Sequence, residues 1–74
     1  MITVYSRPSC SQCQLAKEWL NHHHVEFKEV NVDKDQNVIR RLVDAGFTRL
    51  PVITDGTSAF SGFDEHDLAQ MAKK

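Results

Sequence analysis

The segment Cys10-Ser11-Gln12-Cys13 limits the possible folds and functions of this chain more than any other feature. It lies where an apolar run ends and a helical pattern begins. In the preceding segment, residues 1–5, Ile2 and Val4 occupy alternate positions, which predicts a strand with both on one face. Arg7-Pro8-Ser9 then supplies a turn. After the cysteines, apolar residues recur at helical spacing and predict a helix from about Ser11 to Asn21 or His22: Leu15, Ala16, Trp19 and Leu20.

This placement puts Cys10 at the start of the helix and Cys13 in its first turn. The unpaired N–H groups and the positive end of the helix dipole favour the charged form of Cys10. The thiolate is the form that attacks disulfides. Cys13 is close enough to attack the mixed disulfide that results, and its side chain is expected to point more toward the core. The segment therefore predicts a site of dithiol–disulfide exchange.

A C-x-x-C pair can also be half of a zinc site, which requires four ligands. The chain has two cysteines, so histidines would have to complete the set. His22, His23 and His24 lie about ten residues along the same helix, roughly 15 Å away at 1.5 Å per residue. The histidines are expected to interact with the helix C-terminus instead. We therefore expect no metal and no other cofactor, although a metal bridged between two chains stays open as an alternative.

Length and charge narrow the classes of partner. The 74 residues are expected to form one domain, 1–74, and 41% hydrophobic residues suffice for a core. The formal net charge of −1 does not favour nucleic acid or an anionic membrane as a partner. No apolar stretch is long enough to cross a bilayer. The first residues are expected to form a strand, so no signal peptide is expected. A cytoplasmic, monomeric protein with a reducible cysteine pair is the natural expectation.

The middle of the chain predicts a second strand over residues 25–32, with a bend or an end between Phe27 and Val30. Asp33 or Asp35 can cap a second helix. Gly46 stands where a left-handed residue ends that helix, and Phe47 can pack back over its last turn. Four apolar residues fit one face of the helix: Val38, Ile39, Leu42 and Val43.

The last third predicts a hairpin and a third helix. Val52-Ile53 and residues 58–60 are two short strands joined by the Asp55-Gly56 turn. Ser61-Gly62-Phe63 forms another turn, and Asp64 caps a helix whose apolar side carries Leu68 and Met71. The order is β-α-β-α-β-β-α. With a C-x-x-C after the first strand, it predicts an α/β thioredoxin fold, a four-stranded mixed sheet flanked by three helices.

Along its whole length the chain resembles glutaredoxin-like redoxins, and within them the NrdH-redoxins, which supply electrons to class Ib ribonucleotide reductase. The motifs that carry the resemblance are Cys10-Ser11-Gln12-Cys13, Gly46-Phe47, Leu50-Pro51-Val52 and Ser61-Gly62-Phe63. Gln12 and the Ser-Gly-Phe turn are the more specific of these features.

The resemblance implies that Cys10 attacks and Cys13 resolves, with thioredoxin reductase as electron source and the large subunit of the ribonucleotide reductase as target. It also implies a cis bond before Pro51, which would leave the Leu50 backbone free to pair with an extended substrate segment. Arg7, three residues before Cys10, can favour a thiolate or attract an anionic partner. The expected partner-binding set is completed by residues of the same motifs: Ser11, Gln12, Ser61, Gly62, Phe63 and Asp64.

The chain departs from the usual NrdH-redoxin sequence at Asp64-Glu65, where NrdH-redoxins usually have Arg or Gln followed by Pro. Acidic residues there resemble ordinary glutaredoxins, which hold the γ-glutamyl end of glutathione at this corner. Arg40 or Arg41 could then bind the other carboxylate of glutathione. A glutathione-dependent glutaredoxin is therefore the main alternative. A redox-sensing regulator related to arsenate reductase is a further alternative, but such chains carry a helical insertion for which this chain has no room before Pro51.

Overall fold

The computed structural model describes residues 2–73. These residues form four strands, three helices and one 3-10 turn, in the predicted order. Met1, expected in the first strand, lies outside the described residues. The elements are β1 Ile2–Ser6, α1 Ser11–His22, β2 Phe27–Asn31, the 3-10 turn Val32–Lys34, α2 Gln36–Asp44, β3 Val52–Thr54, β4 Ala59–Ser61 and α3 Glu65–Ala72.

The four strands form one mixed sheet in the order β2-β1-β3-β4. β1 runs parallel to β2 and antiparallel to β3, so that Val4 lies between Glu29 and Ile53. β3 and β4 form the antiparallel hairpin that the Asp55-Gly56 turn predicts. The mixed sheet and the three helices confirm the predicted thioredoxin fold.

The core contains the apolar residues on the inward faces of the strands and helices. Alternate residues of β1 are buried, and Ile2 and Val4 enter the core together as expected. Trp19 and Phe60 are partly buried and pack against this core. The buried cluster combines residues of β1, α1, β3 and α3: Ile2, Val4, Ala16, Leu20, Ile53, Leu68 and Met71.

The second strand is shorter than its apolar pattern predicts. The Val25 N–H donates to the Leu20 carbonyl oxygen at 2.9 Å, which makes Val25 part of the turn after α1. At the other end, the Asn31 side chain accepts the Asp33 N–H at 2.9 Å and starts the 3-10 turn. Asp35, not Asp33, is the N-cap of α2, and its carboxylate accepts the Asn37 N–H at 3.0 Å.

Helix α2 ends at the predicted glycine. Gly46 has φ +94°, and its N–H donates to the Val43 carbonyl oxygen at 2.9 Å. The Phe47 N–H donates to the Leu42 carbonyl oxygen at 2.8 Å, which completes a Schellman motif. All nine residues of α2 are described, and none of them is buried. The apolar face of α2 therefore remains partly open, and Val43 is 53% exposed.

The histidine run ends α1, as its position predicts. His23 is the C-cap, and its ring lies on Trp19 with 4.0 Å between ring centroids. His24 has φ +57° and carries the chain out of the helix. Within residues 2–73, no group of three or more His, Cys, Asp or Glu side chains is placed to hold a metal ion. Among the same residues, no helix has the length and apolar character needed to cross a membrane.

Candidate redox site

Cys10 is the residue at which α1 begins. Its backbone is extended, and its Sγ accepts the Cys13 N–H at 3.1 Å, so the sulfur itself caps the helix. The side chain is only partly buried. The Cys10 sulfur thus combines contact with solvent and a hydrogen bond from the first turn of α1.

Cys13 has a different environment, although it is three residues away. It is fully buried, and both described cysteines are free thiols. Burial raises the pKa of the Cys13 thiol from 9.0 to about 11, and its hydrogen bond with Cys10 acts in the same direction. A backbone hydrogen bond from Arg7 and the charge of Lys17 oppose this change. Cys13 is thus the protonated, protected thiol of the pair.

Two distant segments meet beside Cys10. The bond between Leu50 and Pro51 is cis, as the resemblance implies. The Cys10 thiol donates to the Leu50 carbonyl oxygen across 3.8 Å. The carbonyl oxygen of Pro51, which is buried, accepts the Gly62 N–H at 2.8 Å. The loop before β3 and the turn after β4 are therefore both tied to the redox site.

Gln12 connects α1 to the Ser61-Gly62-Phe63 turn. Its Oε1 accepts the Phe63 N–H at 3.3 Å. A Cβ added at Gly62 would lie 3.8 Å from the same oxygen, and Gly62 has φ +82°, a conformation that suits glycine. The sequence singles out both partners, but no local signal pairs residues that are 51 positions apart.

The other residues of the predicted site have more local surroundings. Ser11 is the exposed first residue of α1, and Ser61 lies opposite Val52 at the end of β4. The Asp64 carboxylate accepts the N–H groups of His66 and Asp67 at 2.9 and 3.2 Å. Asp64 is thus the predicted N-cap, and its carboxylate faces the first turn of α3.

Arg7 pairs with an acidic residue that the sequence analysis did not connect to it. Its Nε lies 3.2 Å from Asp33 Oδ1. The Nε atom is buried and is not aligned on the carboxylate as in a hydrogen bond, so the contact is an electrostatic pair. The pair connects the loop before Cys10 with the 3-10 turn after β2. Both side chains are substantially exposed, so the pair contributes little to stability.

A groove of about 290 Å³ opens beside Cys10. Of the four residues predicted to share the apolar face of α2, Ile39, Leu42 and Val43 line this groove and Val38 does not. Arg7 and Arg49 also line it, and Arg49 is a residue that sequence reasoning missed. Within the described residues, Arg40 and Arg41 lie outside this lining. The apolar wall comprises Val32, Ile39, Leu42, Val43, Phe47 and Leu50.

A polar network lies between β1, β2 and α1. Glu29 Oε2 accepts the buried Ser6 hydroxyl at 2.9 Å and the Lys17 ammonium at 2.6 Å. The hydrogen bond from Lys17, aided by that from Ser6, holds the pKa of Glu29 below its usual value. Lys17 lies one helical turn after Cys13, so the network reaches the element that carries the buried thiol.

Known proteins share this arrangement. The model of the glutaredoxin family matches residues 2–58. The glutaredoxin-like protein NrdH of Lactococcus lactis subsp. cremoris is 42% identical over 72 residues, which cover 97% of this chain and all of that protein. The chain belongs to the NrdH group of the glutaredoxin family. It is therefore a thiol–disulfide oxidoreductase.

The fold comparison agrees with this NrdH assignment. The solved structure of NrdH-redoxin from Escherichia coli, described for its thioredoxin-like activity profile, superposes with a TM-score of 0.91. It is 31% identical, and the match covers 95% of this chain and 92% of that one. The global transcriptional regulator Spx 2 of Lactococcus lactis is 51% identical, but over only 35 residues, 47% of this chain and 26% of the regulator. The likeness to this transcriptional regulator is thus confined to under half of the chain.

Proposed function

We propose that Cys10 and Cys13 form the redox pair, with Cys10 as nucleophile and Cys13 as resolving thiol. The Cys10 thiolate attacks one sulfur of a target disulfide, forms a mixed disulfide and releases the other target sulfur as a thiolate. Cys13, once deprotonated, attacks the Cys10 sulfur, forms the Cys10–Cys13 disulfide and releases the second target thiolate. Two electrons pass to the target.

The observation that carries this assignment is the asymmetry of the two sulfurs. The partly exposed Cys10 sulfur accepts a helix N–H, whereas Cys13 is fully buried with a pKa raised to about 11. Both thiols attack as thiolates, but the first must also be accessible to the target, whereas the resolving thiol must lie close to the first sulfur and needs no access to the target.

The roles can be tested by trapping. Cys13→Ser removes the resolving sulfur, so we expect a mixed disulfide between Cys10 and a target protein to accumulate, as seen by non-reducing electrophoresis and mass spectrometry. Cys10→Ser leaves only the buried thiol and is expected to trap nothing. Equal trapping by the two variants would contradict distinct roles.

We infer that the electrons come from thioredoxin reductase and pass to the large subunit of a class Ib ribonucleotide reductase in the cytoplasm. Gln12 and the Ser61-Gly62-Phe63 turn, which mark the resemblance to the thioredoxin-reductase-dependent group, support this source. The thioredoxin-like activity profile of the Escherichia coli relative supports it as well. The Asp64 carboxylate is directed at the first turn of α3, so its position is explained by capping without a small-molecule ligand.

Reduction assays distinguish the two electron sources. The oxidised protein is offered NADPH with thioredoxin reductase, or NADPH with glutathione and glutathione reductase, and NADPH consumption is followed. We expect rapid reduction in the first mixture and slow reduction in the second. Rapid reduction by glutathione that Asp64→Asn abolishes would instead support the glutathione-dependent alternative.

A further inference from the structure

The network of Ser6, Lys17 and Glu29 takes no part in the exchange reaction described above, although it reaches the helix of the two cysteines. Glu29 Oε2 accepts the Ser6 hydroxyl at 2.9 Å and the Lys17 ammonium at 2.6 Å. Ser6 is buried, and the Lys17 side chain is only 17% exposed. The ammonium of Lys17 is therefore more confined than that of a lysine that extends freely into solvent.

The position of Lys17 brings this charge toward the resolving thiol. Lys17 lies four residues after Cys13, and residues at this spacing are neighbours on one face of a helix. Cys13 belongs to the buried face of α1, together with Ala16 and Leu20. The charge of Lys17 lowers the pKa of the Cys13 thiol, against the effect of burial. Helix spacing and electrostatics thus agree that Lys17 acts on the Cys13 sulfur.

The other groups around Cys13 do not supply a positive charge. Cys10 raises the pKa of Cys13 through its hydrogen bond and its own charge, and Arg7 acts through its backbone. Within residues 2–73, the buried residues of β1, β3 and α3 are uncharged, and Ser6 is the polar one among them. Among the described side chains, Lys17 is therefore the cation that lowers the pKa of Cys13.

This charge becomes important when Cys10 is bonded to a target. The Cys10 sulfur of a mixed disulfide carries neither charge nor proton, so both of its effects on the pKa of Cys13 are lost. Cys13 must ionise before it attacks, and burial still disfavours its charged form. Stabilisation of the Cys13 thiolate at this stage depends on the hydrogen bond from the Arg7 backbone and on the charge of Lys17.

We propose that Lys17 promotes the resolving step: its ammonium, held in place by Glu29, stabilises the negative charge on the Cys13 sulfur as this sulfur attacks. Glu29 is then a positioning residue. The inference rests on the roles proposed above for Cys10 and Cys13.

The resolving step exchanges one disulfide bond for another. The Cys13 thiol loses its proton to solvent, and its thiolate bonds to the Cys10 sulfur while the bond between Cys10 and the target breaks. The target sulfur leaves as a thiolate and takes a proton from solvent. Lys17 transfers no proton and forms no bond to sulfur in this step.

Both steps can be followed on the reduced full chain, mixed in equal amounts with dipyridyl disulfide, an uncharged disulfide. Attack by Cys10 releases one thiopyridone, and attack by Cys13 on the mixed disulfide releases the second, so absorbance shows two phases. In Lys17→Met, we expect the second phase to slow about threefold and the first to stay unchanged. A rise of about 1 in the Cys13 pKa lowers the thiolate fraction about tenfold, and the greater nucleophilicity of a more basic thiolate offsets about threefold of this loss.

Two variants and a pH profile separate charge from packing. Lys17→Arg keeps a cation that can pair with Glu29 and should restore the rate of the second phase. Lys28→Met removes an exposed charge from β2 and should leave both phases unchanged. In Lys17→Met, the pH profile of the second phase should move to higher pH, whereas a loosened fold would lower the rate equally at every pH.

The outcomes distinguish this inference from the proposed function. Slowing that Lys17→Arg does not repair, or that is equal at every pH, would overturn the role of the Lys17 charge. An unchanged second phase in Lys17→Met, with that phase absent from Cys13→Ser, contradicts this inference alone. A second phase that persists in Cys13→Ser contradicts the proposed roles of the two cysteines as well.

Discussion

At the scale of single residues, the start of one helix gives two chemically identical side chains different properties. Because the turn ends at Ser9, Cys10 becomes the N-cap and keeps contact with solvent, and Cys13 faces inward from the first turn. The spacing of two residues between the cysteines then keeps both sulfurs within reach of each other. The asymmetry needed for an ordered exchange thus follows from helix geometry, without any additional charged residue.

The raised pKa of Cys13 makes stability depend on pH in a defined direction. Because this pKa rises from 9.0 to about 11 on folding, ionisation of the thiol favours the unfolded chain. The stabilising contribution is complete below pH 9 and is lost as the pH rises toward 11. From about pH 8 to 10, we expect the free energy of unfolding of the reduced protein to fall by about 1 kcal/mol more than that of Cys13→Ala. Urea denaturation at several pH values measures this difference, and parallel pH profiles would contradict it.

At the scale of elements, helix ends decide where this short chain changes direction. Asp35 and Asp64 start α2 and α3 with side-chain acceptors, and Gly46 ends α2 with a left-handed residue. Each of these ends stands next to a segment of the redox site. The caps therefore fix the position of the loop before Pro51 and of the turn that meets Gln12.

Substitution of Asp64 measures how much the N-cap of α3 contributes to the free energy of unfolding. Asp64→Ala removes the acceptor for the N–H groups of His66 and Asp67 and should lower the free energy of unfolding by about 1 kcal/mol. Asp64→Asn retains an acceptor oxygen and should cost clearly less, because Asn caps helices nearly as well as Asp. Thermal or urea denaturation gives both values. Equal losses in the two variants would mean that the charge of Asp64, and not its capping geometry, is what stabilises the helix.

At the scale of the molecule, sequence patterns with a local cause are sufficient to predict most of the fold. The helix that follows Cys10, the Gly46 helix end, the Asp55-Gly56 hairpin and the Asp64 cap each rest on residues within a few positions of one another. The predictions were less accurate where a distant or competing partner decides the outcome. Val25 continues the apolar alternation of β2 but bonds to Leu20, and Asp35 prevails over Asp33 as a cap.

The same distinction applies to the candidate redox site, whose contacts are predictable from sequence only where they are local. Cys10, Cys13 and Pro51 belong to short motifs and can be found without a structure. The contact between Gln12 and Phe63, the pair of Arg7 with Asp33, and the position of Arg49 beside Cys10 depend on how the sheet brings remote segments together. Helix α2 shows the limit most clearly, because its periodicity predicts the apolar face but not that Ile39, Leu42 and Val43 on this face line an open groove.

A chain of this size is expected to have a small free energy of unfolding, so the loss of a single core side chain removes a large fraction of it. At 0.05–0.15 kcal/mol per residue, the total is roughly 4 to 11 kcal/mol, and truncating one buried Leu costs about 2 to 5 kcal/mol. Leu68 is fully buried where α3 meets the core cluster, so Leu68→Ala should remove a large fraction of the stability. The control is Val43→Ala on α2, where the side chain is 53% exposed and alanine favours the helix, so a change within about 0.5 kcal/mol is expected. Urea midpoints give both values. A loss at Val43 as large as that at Leu68 would show that the open face of α2 is as important to the fold as the core.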